Sequence, residues 1–294
     1  VESTVALLGC GYTLSRVAKK LAPMSALCIK KDISSLEGLT QNISSLDVSN
    51  YVAFNQAINA HDSVCCIVDS IPPHPQEPTL YARNIAQFIT ENEQIDKLIY
   101  LSTTGVFGGE NGAIVDELTT PNPTTPTGKA RYEVECCYRE LKKQLLKKDR
   151  TLQLCVLRIP AIYGPTRGIG LSLRQGKYKI IESGEQWTNR IHVVDLATLI
   201  VKLIESSKIL PECIAVSDGA PSKVKDVVGY YCDKFKIALP STISRQDAKA
   251  QGSWSMISDQ RVVPRFMRDF LSPAEINYPS YLVGAGSEFS QVDR

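Results

Sequence analysis

Val5-Ala6-Leu7-Leu8-Gly9-Cys10-Gly11-Tyr12 decides the fold of this chain. Four apolar residues in a row read as a strand buried on both faces. The glycines that follow read as a tight turn. The first permits a left-handed backbone, and the second lets another group approach the main chain. Residues 14–21 then read as a helix, with Leu14, Val17, Ala18 and Leu21 on one face.

The same alternation continues outward from that stretch. Residues 26–29, 63–68 and 97–101 are short apolar runs, and residues 52–58 and 80–89 carry helical periodicity between them. Pro72, Pro73, Pro75 and Pro78 enforce a loop after the third run. Strands alternating with helices predict an α/β fold, a doubly wound parallel sheet of Rossmann type with right-handed crossovers. A Gly-, Asn-, Thr- and Pro-rich loop spans 108–126, followed by a long helix over 128–148 and a strand over 152–157. Residues 192–204 read as a helix, 214–216 as a strand and 224–235 as an amphipathic helix; the remaining tail is loop-rich. The expected division is a dinucleotide-binding domain over 1–165, rejoined by 189–218, with a smaller C-terminal substrate lobe from 166–188 and 219–294.

Composition narrows the classes. The chain has 294 residues, 33 basic and 31 acidic, and a net charge of +2, so it has no basic field suited to nucleic acid. No apolar run is long enough to span a membrane. Val1-Glu2-Ser3-Thr4 leads straight into a strand without the parts of a signal peptide, so the expected location is cytoplasmic. Nine cysteines without a Cys-x-x-Cys pair read as reduced thiols; Cys28, Cys65, Cys66, Cys136, Cys155 and Cys213 lie in apolar runs suited to burial. His61, His74 and His192 are the only histidines, and none has ligand spacing to a cysteine, so no metal site is expected.

At the glycine turn, Gly9, Gly11, Tyr12 and Thr13 face a pyrophosphate at a helix start, and Leu14 stands where the third glycine of G-x-G-x-x-G is usual. The second strand ends in Lys30-Lys31-Asp32. An acid there suits the ribose hydroxyls of NAD, and a base suits the 2′-phosphate of NADP, so the two lysines favour NADP, with NAD as the alternative.

Several segments together resemble the extended short-chain dehydrogenase/reductase superfamily, the NAD-dependent epimerase/dehydratase group. They are Leu46-Asp47-Val48, Tyr100-Leu101-Ser102-Thr103-Thr104-Gly105-Val106-Phe107-Gly108, Leu157-Arg158 through Ile162-Tyr163-Gly164-Pro165, Asn189-Arg190-Ile191-His192-Val193-Val194-Asp195-Leu196-Ala197, and Ser217-Asp218-Gly219 followed by residues 224–228. In detail the chain is most similar to atypical, YeeZ-like members. The resemblance implies that Asp47 contacts adenine, that Thr103 orients a substrate hydroxyl or carbonyl, and that a Tyr-x-x-x-Lys pair supplies acid/base chemistry. The aligned stretch is Pro123-Thr124-Thr125-Pro126-Thr127-Gly128-Lys129-Ala130-Arg131, with Thr127 in place of the tyrosine and Arg131 in place of the lysine. A threonine hydroxyl is far too weak an acid to shuttle protons as a tyrosine of lowered pKa does. Arg131 keeps its charge and its hold on ribose hydroxyls. Lys129, Tyr163 and His192 are alternative proton donors. Tyr138/Lys142 and Tyr230/Lys234 also fit Tyr-x-x-x-Lys, but Tyr138 lies about 16 Å beyond Thr127 along the helix.

Two readings follow. One is an oxidoreductase or epimerase/dehydratase-type enzyme acting on a small polar substrate, with Thr103, Thr127 and Arg131 at its site. The other is a catalytically silent dinucleotide-binding sensor. The resemblance also implies a homodimer paired through the helices at 80–89 and 128–148.

Overall fold

The computed structural model describes residues 4–290, except 22, 23, 37, 40, 62 and 254–256. Val1, Glu2 and Ser3, read from the sequence as leading straight into the first strand, lie outside the described residues. One seven-stranded sheet dominates. Its strands are β1 (Thr4–Leu8), β2 (Ser25–Lys30), β3 (Asn42–Ser45), β4 (Val64–Asp69), β5 (Lys97–Thr103), β6 (Gln153–Ile159) and β7 (Cys213–Ala215). Their order is β7-β6-β5-β4-β1-β2-β3. β1 pairs in parallel with β2 and β4, β2 with β3, and β4 with β5. The strand order reverses at β1, so β1 ends where an open α/β sheet forms its crevice.

The helices are α1 (Leu14–Lys20), α2 (Tyr51–Asn59), α3 (Leu80–Glu91), α4 (Pro126–Leu146), α5 (Ile169–Arg174), α6 (Val193–Glu205) and α7 (Val224–Phe235). All five β1 residues are buried, as expected of a strand covered on both faces. Phe54 and Ile58 of α2, Ile85, Phe88 and Ile89 of α3, and Val134, Tyr138 and Leu141 of α4 close one core over the sheet.

Three sequence expectations change. β3 was not anticipated, because Asn42-Ile43-Ser44-Ser45 is a short polar edge strand without a buried run. The helix expected from His192 starts at Val193. Residues Arg190–His192 form a strand parallel to Ala161–Tyr163 instead. Of the cysteines expected to be buried, Cys136 is exposed and Cys65 and Cys213 are half-buried.

By contact density the chain divides into two compact units. The first comprises Val1–Ser102, Lys129–Leu157 and Ala197–Ile214; the second comprises Thr103–Gly128, Arg158–Leu196 and Ala215–Arg294. In the first, the buried Lys97 ammonium donates to the carbonyls of Leu203, Ile204 and Ser206 at the end of α6. It thereby satisfies orphan carbonyls at the negative end of the helix dipole. In the second, α5 and α7 pack through Leu173, Val224, Val227, Val228 and Tyr231. Among the described residues no helix is long and apolar enough to cross a membrane.

Candidate functional site

In the first unit, β1 stops at Leu8 and the chain turns at Gly9 with φ +71°. The Gly9 and Cys10 amides donate to the Ile29 carbonyl at 2.9 and 3.1 Å, which ties the turn to β2. A Cβ on Gly9 would stand 3.0 Å from the Ile71 nitrogen, so a side chain fails there on both space and conformation. Gly11 differs: a Cβ there would meet only the Gly9 oxygen, at 3.6 Å. One glycine is thus demanded by the fold, whereas the other leaves an open backbone face. The Tyr12 carbonyl accepts from Arg16 Nη1 at 2.6 Å, and the Arg16 guanidinium lies 4.2 Å from the centre of the Tyr12 ring. Thr13 is the buried N-cap of α1 and makes no side-chain cap bond. Leu14, in place of a third glycine, is fully buried in the core.

Lys30 ends β2 half-buried, and Lys31 is exposed beside it. Lys31 Nζ lies 3.0 Å from Asp47 Oδ2, so two of the sequence-selected residues meet as an ion pair. The Ser49 amide first, and Lys31 second, hold the Asp47 carboxyl down at about 2.

Arg131 lies in the first unit on α4. Its Nη1 donates to the Ile71 carbonyl at 3.1 Å, the Tyr100 hydroxyl at 3.1 Å and the Leu101 carbonyl at 3.0 Å. The side chain expected to hold a ribose therefore also braces the ends of β4 and β5. Tyr138, from the chance Tyr-x-x-x-Lys match, is fully buried and donates to Asp69 Oδ2 at 2.6 Å. Burial drives its hydroxyl well above the ordinary tyrosine range, which removes it as an acid.

Thr103 and Thr127 belong to the second unit. Thr103 is half-buried, and its Oγ1 accepts from the Gly105 amide at 3.2 Å. Thr127 is exposed in the first turn of α4. A Cβ on Gly128 would lie 2.6 Å from the Gly105 oxygen. That glycine contact brings the loop after Thr103 against the helix turn that carries Thr127. Phe107, where a tyrosine is usual, is buried in a small core with Val115, Ala215 and Val262, and the Arg158 guanidinium lies 4.8 Å from its ring centre.

The alternative proton donors separate. His192 is buried, stacks on Tyr278 and accepts from the Val194 amide at Nδ1. Its Nε2 lies 3.1 Å from Ser287 Oγ, so both ring nitrogens are engaged within the second unit. Tyr163 donates to the Ser280 carbonyl at 3.3 Å, and burial raises its pKa. Lys129 is exposed.

Two buried polar groups of the second unit stood in the sequence only within the resembling segments, with no role assigned to them. Asp218 Oδ2 and Arg190 Nη1 have no hydrogen-bond partner among the described residues. Burial pushes the Asp218 carboxyl up to about 7. The missed groups of the first unit are Asp69 and Ile71, and Tyr100 was read only as part of the strand that carries Thr103. The one signal available was Asp69, an acid closing the apolar run Val64-Cys65-Cys66-Ile67-Val68.

Comparison with known proteins agrees with this architecture. Residues 76–213 match the family model described as NAD dependent epimerase/dehydratase family. An "Epimerase family protein SDR39U1 homolog, chloroplastic" of Arabidopsis thaliana is 27% identical over 180 residues, covering 57% of this chain and 48% of that protein. The match thus spans about half the length of that relative. A functionally unknown conserved protein from Silicibacter pomeroyi superposes with a TM-score of 0.75 at 24% identity, covering 96% of each chain. UDP-glucuronic acid 4-epimerase from Bacillus cereus, in complex with NAD, superposes with a TM-score of 0.77 at 16% identity, covering 97% of each chain. At these identities the structural likeness is one of fold. Residues 76–213 of the chain are therefore similar to the NAD dependent epimerase/dehydratase family, and the solved structures share its fold.

Proposed function

We propose that this protein binds a nicotinamide dinucleotide, NADP(H) in preference to NAD(H), and acts as an oxidoreductase or epimerase/dehydratase-type enzyme on a small polar substrate. The observation that carries the reading is the turn itself: Gly9 is held where only glycine fits, and Gly11 offers an open backbone face. Its place at the strand-order reversal supports it. The residues fit the cofactor. Gly9, Gly11, Tyr12, Thr13 and Leu14 would hold the pyrophosphate, Lys30 and Lys31 the 2′-phosphate, and Asp47 the adenosine. The cofactor supplies a hydride donor or acceptor. Thr103 and Thr127 orient the substrate by hydrogen bonds, and Arg131 keeps a positive charge where the family has lysine. The substrate lobe is drawn from 166–188 and 219–294.

Titration of the purified chain with NADPH and NADH by calorimetry tests the binding step. Tighter binding of NADPH, reversed by Lys31→Glu, is the expected outcome; binding of neither dinucleotide overturns the reading. Turnover on a panel of carbonyl compounds and nucleotide sugars, abolished by Thr103→Val, tests the enzyme step.

A silent sensor is the second reading. It is favoured by Thr127 and by the three internal bonds that occupy Arg131 Nη1. Thr127→Tyr combined with Arg131→Lys separates the two. Gain of turnover from none shows that the rest of a catalytic site is intact.

We also propose a cytoplasmic homodimer paired through α3 and α4. Between them runs a groove of about 300 Å³ lined by Arg83, Ala86, Gln87, Thr90, Cys137 and Glu140, among others. Light scattering at micromolar concentration is expected to give twice the mass of one chain, and a single-chain mass rejects the pairing.

A further inference from the structure

Asp69 closes β4 and is almost wholly buried. Oδ1 accepts from the Ile71 amide at 2.9 Å, and Oδ2 accepts from the Tyr138 hydroxyl at 2.6 Å. The carbonyl of the same Ile71 accepts from Arg131 Nη1 at 3.1 Å. Residue 71 is thus held at its N–H by a carboxylate and at its C=O by a guanidinium. Against that segment stands the glycine turn. The Ser70 amide donates to the Leu8 carbonyl at 3.0 Å, and Ser70 Oγ donates to the Gly9 carbonyl at 3.3 Å. The Ile71 nitrogen is the nearest atom to where a Gly9 Cβ would sit. The wall of the turn is therefore segment 70–71, and its place is set by Asp69 and Arg131.

We propose that Asp69, seated by Tyr138, is a positioning residue for the dinucleotide turn: its carboxylate holds Ile71, and through Ile71 holds Gly9, in the geometry that binds. The proposal rests on the dinucleotide reading above.

A carboxylate at this place does not serve stability. Desolvation raises the Asp69 carboxyl to about 6, outweighing Tyr138, the Ile71 amide and Arg131, all of which favour the charged form. The folded pKa lies above the ordinary carboxylate value. The stability that protonation contributes is therefore complete below the unfolded pKa and is lost as pH rises through about 6. At neutral pH the fold keeps the charge at a cost. The ionisable groups facing Asp69 are Tyr138 and Arg131 from α4 and Tyr100 from β5. The Tyr100 and Tyr138 rings meet edge to face at 5.3 Å, and the Tyr100 hydroxyl accepts from Arg131 at 3.1 Å. Protonation of Asp69 weakens its hold on the Ile71 amide and removes its attraction for Arg131. Affinity for dinucleotide is then expected to fall on the acid side of about 6.

The test is calorimetric titration of the whole chain with NAD⁺ and with NADP⁺ across this acid range. Wild type, Asp69→Asn and Tyr138→Phe are compared, with thermal melts at neutral pH. NAD⁺ is included because the extra phosphate of NADP⁺ itself titrates at about 6. Wild type is expected to lose about tenfold in affinity, a change of about 1.4 kcal/mol, on acidification. Asp69→Asn is expected to bind about tenfold more weakly at neutral pH, to show no acid limb with NAD⁺, and to melt no lower than wild type. Tyr138→Phe removes a bond to the charged form, so its acid limb moves to higher pH. If Asp69→Asn binds like wild type with the same acid limb, or loses affinity only as its melting temperature falls, the proposal is overturned and the dinucleotide reading stands. If wild type binds neither dinucleotide, the dinucleotide reading fails and takes the proposal with it.

Discussion

A Gly11→Val protein is expected to melt within about 2 °C of wild type and to bind dinucleotide at least about 100-fold more weakly, a loss of about 2.7 kcal/mol. The reasoning is steric. Gly11 does not have a positive φ, and a Cβ there meets nothing nearer than the Gly9 oxygen at 3.6 Å. The fold therefore tolerates the side chain, while the backbone face proposed to receive a pyrophosphate is blocked. Gly9→Ala is the contrasting case. Its φ of +71° and the Ile71 nitrogen 3.0 Å from the new Cβ put the cost on folding. Strain at a left-handed position is about 1–3 kcal/mol, so its melting temperature is expected to fall as well. Melting curves and calorimetric titrations of both variants check the pair of predictions. Equal loss of binding and stability in Gly11→Val would mean that the glycine serves the fold and not a ligand.

Glu117→Ala is expected to lower the free energy of unfolding by about 4 kcal/mol. Glu117 is buried in the second unit. Its Oε1 accepts from the amides of Ala215, Arg265 and Phe266, each at 3.1 Å, and Oε2 also accepts from Arg265 at 3.1 Å. The single carboxylate gathers the loop after β5, the end of β7 and residues 265–266. Truncation leaves three backbone donors without their acceptor, at about 1–3 kcal/mol each. Urea unfolding reads the effect as a lower midpoint at an unchanged slope. Glu117→Gln keeps one acceptor oxygen and is expected to lose roughly half as much. A change below about 1 kcal/mol for the alanine variant would show that solvent takes over those amides.

Much of the fold was legible because its signals are local. Val5-Ala6-Leu7-Leu8 can only be a strand covered on both faces, Gly9 marks its turn, and the spacing of Val224, Val227, Val228 and Tyr231 marks one face of α7. The missed elements have no such signal. β3 is polar because it lies at the sheet edge, and His192 ends a strand whose partner, Tyr163, lies 29 residues earlier.

The candidate site divides in the same way. The resemblance sets Thr127 and Arg131 against the family's tyrosine and lysine, and the glycine turn and the lysines that end β2 stand in the sequence itself. What Arg131 does with its charge is not visible there. Its acceptors come from residues 71, 100 and 101, and Asp69 meets Tyr138 from 69 positions away. Periodicity and turn chemistry reach only as far as neighbouring residues, so strand, helix and turn follow from them. A buried hydrogen bond between distant residues exists only once the sheet order has brought β4, β5 and α4 together. The glycine turn thus belongs to the sequence, and the clamp that holds it belongs to the tertiary structure.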